Sequence, residues 1–163
     1  LLQRIRVIQV RDLNPDGRAL KRRGNANGVD LNRNFPARTF TASSRYGAEP
    51  LDQPESKLLY QLILDEVPHL ILVAHSARGR KFINWDGPGR RFAEIFSRAS
   101  GFPLVESDTL HPTPGSLGTW AGMDRQIPIL TLEWRNGTDP EQAWNSARTA
   151  ILSVFEAAAH IER

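Results

Sequence analysis

Apolar residues in this chain gather into short runs whose spacing switches between strand-like and helix-like periods. The longest run, Leu70, Ile71, Leu72, Val73 and Ala74, follows Pro68 and has strand length. A continuous run of this kind predicts a strand covered on both faces. A second strand is predicted from Ile127 to Trp134, with Thr131 and Glu133 set among Ile129, Leu130 and Leu132. Ile5, Val7 and Val10 predict a short strand, Lys81 to Trp85 a weaker one, and Phe102 to Val105 an edge strand. Helical spacing appears in three places. Asp52 as N-cap, Pro54 in the first turn and Glu55 closing a capping box predict a helix to about Glu66, with Leu58, Leu59, Leu62 and Ile63 inward and Pro68 as its stop. Residues 88–99 place Phe92, Ile95, Phe96 and Ala99 on one side, with Gly101 beyond the end. Asp139-Pro140-Glu141-Gln142 opens a last helix with Trp144, Ala147, Ile151, Val154, Phe155 and Ala158 inward. Strands alternating with helices predict an α/β fold, a mixed, largely parallel sheet flanked by helices.

From Arg18 to Glu49 no period persists, and Gly, Asn, Arg, Ser and Pro dominate. A stretch of that length inside a compact chain reads as a long ordered functional loop. Ahead of it, Asn14-Pro15-Asp16-Gly17 reads as a turn in which Gly17 takes a positive φ. Asn32, Arg33 and Asn34 follow in the segment GVDLNRNFP, too concentrated a set of amide and guanidinium heads for a turn to explain.

Composition narrows the classes. The 163 residues, 40% hydrophobic and 24% charged, suit a single globular domain over 1–163. No apolar run reaches membrane-spanning length, so no membrane partner is expected. Arg4 and Arg6 interrupt the apolar start, so no secretory signal pattern is present there. The chain opens Leu1-Leu2-Gln3 and its one methionine is Met123, which suggests an excised or processed piece. Zero cysteines exclude disulfides and thiolate metal sites, so a metal here would need His and carboxylate ligands. The net charge of +3 is modest. The basic stretches at Lys21-Arg22-Arg23 and Arg78-Gly79-Arg80-Lys81 accompany no nucleic-acid motif, so nucleic acid is not an expected partner. Arginines around a cleft would instead suit a substrate carrying carboxylates.

Two titratable residues stand at predicted strand ends. His75 closes the apolar run and Glu133 closes the run from Ile129, and ligand sites in open α/β sheets lie at such ends. A histidine there is either a hydrogen-bonded structural group or a functional one. A carboxylate there must be ion-paired, solvated or functional, because burial alone is costly. As a pair they make a better site than either alone. Arg23 and Arg33 can each grip a carboxylate or an oxyanion, and Asn32 adds a neutral donor; the competing reading for each is a loop-bracing hydrogen bond. Pro112-Thr113-Pro114-Gly115-Ser116-Leu117-Gly118 reads, by composition, as a loop.

Taken in order, NPDG, GVDLNRNFP, His75-Ser76 and Thr131-Leu132-Glu133 resemble the zinc carboxypeptidase family. Arg23-Gly24-Asn25-Ala26-Asn27, Ile83-Asn84-Trp85-Asp86-Gly87-Pro88 and Thr113-Pro114-Gly115-Ser116-Leu117-Gly118 are most similar to its bacterial murein peptide amidase branch, which cuts the γ-D-glutamyl–meso-diaminopimelate bond of cell-wall peptides. The resemblance implies one Zn2+ cofactor with His75 as its last ligand, and Glu133 as the base that takes a proton from the attacking water and passes it to the leaving amine. It also implies Arg23 as the oxyanion partner, and Asn32 with Arg33 as the clamp on a terminal carboxylate. The expected partner is thus a peptide with a free carboxylate. The family's first two zinc ligands come from a His-x-x-Glu motif upstream of NPDG, which this sequence lacks. The resemblance therefore implies a domain without its N-terminal portion, inactive by itself. Where the family has a mobile tyrosine, the matching position is His111; Tyr46 and Tyr60 come too early. The alternative from another class is a non-catalytic pseudoenzyme that binds carboxylate-bearing peptides; an aminoacylase-like relative of the same fold is a third reading.

Overall fold

The structure, a computed structural model, describes residues 4–107 and 112–160. The chain divides into two compact units. Among the described residues one holds 4–7, 69–107 and 126–160, and the other holds 8–68 and 112–125.

The first unit is built on a four-stranded sheet. Its strands are β1 (Ile71–Ala77), β2 (Phe82–Asp86), β3 (Leu104–Glu106) and β4 (Ile129–Arg135), in the order β1-β4-β2-β3. β1 lies parallel to β4 and β2 parallel to β3, while β2 meets β4 antiparallel. Helices α3 (Arg90–Ser100) and α4 (Pro140–Ala158) pack on each other and on one face of the sheet. There Ile83, Leu130 and Leu132 meet Phe92, Ala93, Phe96, Ala147, Ala150 and Val154 in one buried cluster. Register partners share a face, so this face also carries Leu72 and Trp85. Gly101 ends α3 in the left-handed conformation, φ 70°. Asp139 caps α4 by accepting hydrogen bonds from the Glu141 and Gln142 amides, at 3.0 and 3.1 Å.

Four expectations are corrected in this unit and at its margin. Residues 5–10 form no strand: they have no ladder partner among the described residues, and Val7, Ile8 and Val10 are exposed. The run 70–74 is not covered on both faces: Ile71, Leu72 and Val73 are half-buried and Ala74 is exposed, and among the described residues β1 stands at the edge of the sheet. Trp144 points to solvent, and Ala143 and Ser146 take the inward positions near it. On α3 the buried small residue is Ala93 rather than Ala99.

The second unit replaces regular structure with side-chain hydrogen bonds. NPDG is not a simple turn: it opens a short helix, α1 (Pro15–Ala19), whose N-cap Asn14 accepts from the Gly17 amide at 3.0 Å. Gly17 is needed for space rather than for a positive φ, since an added Cβ would lie 2.6 Å from the Gly24 carbonyl oxygen. Asn34, fully buried, donates to the Tyr46 and Glu49 carbonyls and to Asp52 Oδ1, and accepts from the Gln53 amide and Ser56 Oγ. Asn25, also buried, does the same for residues 27–29 and Gln53. This explains how residues 20–53 hold one conformation without a ladder. The helix after them, α2 (Pro54–Glu66), is capped at Gln53 and not Asp52. Asp52 is occupied by Asn34 and by the Ala48 and Glu49 amides; burial works to raise its carboxyl, but these hydrogen bonds and that from Gln53 hold it below the usual range. Glu55 closes no capping box; it accepts from Asn25. Along α2, Ser56 and Ile63 face inward while Leu58 is 69% exposed, so the buried stripe is rotated from the expected one. Among the described residues no helix is long and apolar enough to cross a membrane.

Candidate active site

In the first unit, His75 and Glu133 are direct register partners on parallel strands β1 and β4. Neighbouring strands run about 4.8 Å apart, so the two side chains leave the sheet side by side. They project from the face opposite α3 and α4, together with Thr131, Asn84 and Asp86. Both are half-buried, and Glu133 Oε2 is shielded from solvent. Strand pairing thus brings together one imidazole and one carboxylate near the carboxyl ends of two strands. Burial holds the Asp86 carboxyl above the usual carboxylate range, against a hydrogen bond to Ser107 that works to lower it.

In the second unit, Arg23, Asn32 and Arg33 are joined through Asp30. The Asp30 carboxylate pairs with Arg23 through one oxygen and accepts from the Asn32 amide through the other, at 3.2 Å. That second bond starts the single 3₁₀ turn Leu31–Arg33, which sets Asn32 and Arg33 in fixed directions. Arg33 is only 7% exposed. Burial pushes its guanidinium below the ordinary arginine value; Asp30 and Tyr46 act in the other direction, and Arg23 adds to the lowering. Arg33 bonds the Asn32 carbonyl oxygen through one nitrogen, which leaves most of its five donors for other partners. Asn32 Oδ1 accepts from the Leu117 amide at 2.9 Å, so the orientation of this amide is fixed and its NH₂ is the available edge. The arrangement can hold an anion: a neutral donor beside a guanidinium, with a second arginine linked through one carboxylate.

Three contributors escaped the sequence. Asp30 lay within GVDLNRNFP without a role, and it is what ties the arginines together. Tyr46 came too early for the family tyrosine, yet it is a hydrogen-bond partner of Arg33. The loop 112–118 is more than a connector: Gly115 accepts from the Phe35 amide at 2.9 Å, Leu117 fixes Asn32, and Ser116 Oγ accepts from the Thr119 amide at 3.0 Å at the start of the π-helix Gly118–Asp124. His111 lies outside the described residues.

Comparison with known proteins now bears on these groups. The pattern of the zinc carboxypeptidases matches residues 1–92. This chain belongs to the zinc carboxypeptidase family. Murein peptide amidase A of Escherichia coli (strain K12) is 33% identical over 138 residues, covering 75% of this chain and 55% of that protein. Gamma-D-glutamyl-L-diamino acid endopeptidase 1 of Lysinibacillus sphaericus is 32% identical over 133 residues, covering 72% of this chain and 33% of that protein. The chain spans about half the length of the murein peptide amidases it matches. Among solved structures, murein-tripeptide amidase from Escherichia coli O157 superposes with a TM-score of 0.67 at 27% identity, over 93% of this chain and 66% of that one. Carboxypeptidase A from Helicoverpa armigera superposes at 0.73 and 22% identity, over 90% and 50%, a likeness of fold. The mixed, mostly parallel sheet with its helices is that of zinc carboxypeptidases, and the chain stands close to the murein peptide amidases.

The family is zinc-dependent, and the donor set here can be tested against that ion. A catalytic zinc takes three protein ligands and an open position. Among the described residues, no three His, Asp or Glu side chains gather closely enough to hold a metal. The described residues do not by themselves fit a catalytic zinc.

Proposed function

We propose that the protein is a peptidase or amidase acting on peptides with a free terminal carboxylate, with murein peptides of the γ-D-glutamyl–diaminopimelate type as its substrate. One observation supports the reading: strand register sets His75 and Glu133 next to each other, an imidazole able to ligate a metal beside a carboxylate able to act as a general base. The similarity to murein peptide amidases supports the substrate class.

In this reading Glu133 takes a proton from the water that attacks the scissile carbonyl and returns it to the departing amine. Arg23 stabilises the oxyanion that forms on that carbonyl, a role its second nitrogen face can fill while Asp30 holds the first. Asn32, through its NH₂, and Arg33, through its guanidinium, hold the terminal carboxylate. His75 is one ligand of the family's zinc, whose other ligands would have to come from beyond the described residues.

A pair of peptides tests the clamp, one ending in a carboxylate and one in a carboxamide. The carboxylate form should be preferred by a factor of about 10² or more, since a buried guanidinium left facing a neutral amide loses a charge-assisted pair. Arg33→Met should abolish that preference. Equal turnover of both peptides by the unaltered protein would remove the carboxylate clamp, and with it this account of Asn32 and Arg33.

A further inference from the structure

Where β4 runs into α4, a cavity of about 330 Å³ is lined by Arg80, Lys81, Trp134, Arg135, Gln142 and Ser146. All six lie in the first unit, and none enters the chemistry proposed above. Trp134 packs on the helix-covered face of the sheet, opposite the face of Glu133. Its indole N–H donates to Ser146 Oγ at 3.2 Å, and the Ser146 hydroxyl donates to the Ala143 carbonyl oxygen at 2.8 Å. Its ring meets Phe102 edge to face, with centroids 6.1 Å apart. The donors of this wall are thereby engaged, so it offers a ligand apolar ring surface. The turn beyond β4 is fixed as well. The Asn136 amide donates to the Ala77 carbonyl oxygen at 2.9 Å, which ties the turn to the end of β1. Thr138, which completes the lining, donates to the Arg135 carbonyl oxygen through both its amide and its hydroxyl.

The rest of the lining is cationic. Lys81 Nζ stands 4.5 Å from the centre of the Phe102 ring. Among the described residues no carboxylate pairs with Arg80, Lys81 or Arg135, and none lines the cavity. Asp139, in the turn that follows Arg135, accepts from the Glu141 and Gln142 amides of α4 instead. Like charges held around one space repel, and an anion among them relieves the repulsion. Gln142 adds a side-chain amide from the first turn of α4. The charges select the anion. A carboxylate brings one negative charge and two oxygens, whereas a phosphate monoester brings about two charges and three terminal oxygens, one for each cation. The volume selects what accompanies it. A cavity of about 330 Å³ is roughly eleven times the liquid volume of a water molecule. That is more than a phosphoryl group fills, and it lies at the lower end of small-molecule sites.

We infer that this cavity is a binding site for the phosphate monoester of a small organic molecule. Arg80, Lys81 and Arg135 hold the phosphoryl oxygens, and the organic body lies against Trp134. The site does not depend on the hydrolase reading.

The test is isothermal titration of the complete product of the coding sequence with phenyl phosphate, inorganic phosphate and phenyl sulfate, with circular dichroism to verify folding of each variant. It is run at about pH 8, above the second phosphate pKa of about 6. Phenyl sulfate keeps the three terminal oxygens and the ring but carries one charge; inorganic phosphate keeps the charge and lacks the ring. Phenyl phosphate should bind at least about tenfold more tightly than either. Arg80→Gln and Lys81→Gln should each weaken it about tenfold, the loss of one charged hydrogen-bond partner. Arg148→Gln, an exposed arginine of α4 outside the cavity, and Arg33→Met, in the proposed carboxylate clamp, should each leave it within about twofold. Should Lys81→Gln disturb the packing at Phe102, Arg80→Gln carries the test. Undiminished binding in folded Arg80→Gln overturns the site, and so does loss of binding in Arg33→Met, which would put the anion in the clamp. Inorganic phosphate bound as tightly as phenyl phosphate overturns the assignment to a monoester. Binding of none of the three probes overturns the site outright.

Discussion

Gly115→Ala isolates the link between the loop 112–118 and the anion clamp. Gly115 has φ +65°, and an added Cβ would lie 2.2 Å from the Arg33 carbonyl oxygen, where ordinary contact begins near 3.4 Å. Two terms follow. An alanine in the left-handed region costs about 1–2 kcal/mol, and forcing a methyl into a filled space costs typically about 1–3 kcal/mol. A chain of this size loses about 2–4 °C in melting temperature per kcal/mol, so the drop should be on the order of 10 °C. Gly137→Ala supplies the control. Gly137 has φ +80° and nothing within 4 Å of the added Cβ, so only the backbone term applies and the drop should be a few degrees. Differential scanning calorimetry of both variants separates the two terms. The methyl can be accommodated only if the 3₁₀ turn holding Asn32 and Arg33 shifts, by roughly an ångström, and a displacement of that size costs about 10²-fold in a positioned site. In the complete product of the coding sequence, KM for a carboxylate peptide should therefore rise with Gly115→Ala and stay unchanged with Gly137→Ala. Equal melting temperatures for the two variants would refute the reasoning, because they would show that Gly115 does not press on Arg33.

Two other outcomes follow from the same contacts. Asn34→Ala strips five hydrogen bonds from a fully buried amide and leaves the Gln53 amide without its acceptor, so urea titration should register a loss of about 3–5 kcal/mol. Asp86 gives a pH dependence of defined sign. Its folded-state pKa is raised by burial, so the folded chain keeps this proton to a higher pH than the unfolded chain does. Its contribution is fully present below the unfolded value, about 3.9, and is lost as pH rises through the folded one. Asp86→Asn should therefore melt above the unaltered protein at pH 7, with the gap closing toward pH 4; a gap that widens on acidification would contradict the burial argument.

Much of the first unit was legible because strands and helices advertise themselves through period. The run to Ala74, the run to Trp134 and the Phe92–Phe96 stripe all became elements with nearly the expected bounds. Where the reading slipped, a longer-range partner decided the outcome. Asp52 looked like an N-cap from its neighbours, but Asn34, eighteen residues earlier, takes its carboxylate. The run at 70–74 reads as buried on both faces, but its residues are half-buried or exposed, because which faces other elements cover is decided by tertiary packing and not by local hydrophobicity. Leu58 and Trp144 are large apolar residues one helical position away from the stripe that packs. The candidate site divides in the same way. His75 and Glu133 could be proposed as a pair because each ends a strand, but their direct register could not be read from the sequence. Asp30 and Gly115 act through contacts spanning 7 and more than 80 residues, which no local pattern reveals.

The most direct test of the central claim compares Glu133→Gln with the unaltered protein, using hydrolysis of L-alanyl-γ-D-glutamyl-meso-diaminopimelate and zinc content by elemental analysis. Residues 1–163 and the complete product of the coding sequence are assayed in parallel. The account predicts turnover by the complete product, a loss of about 10²–10⁴-fold in Glu133→Gln with zinc content unchanged, and neither zinc nor turnover in residues 1–163 alone. Undiminished turnover by Glu133→Gln would contradict it, and a complete product that binds the peptide without zinc or hydrolysis would make the protein a binding module that has kept its clamp.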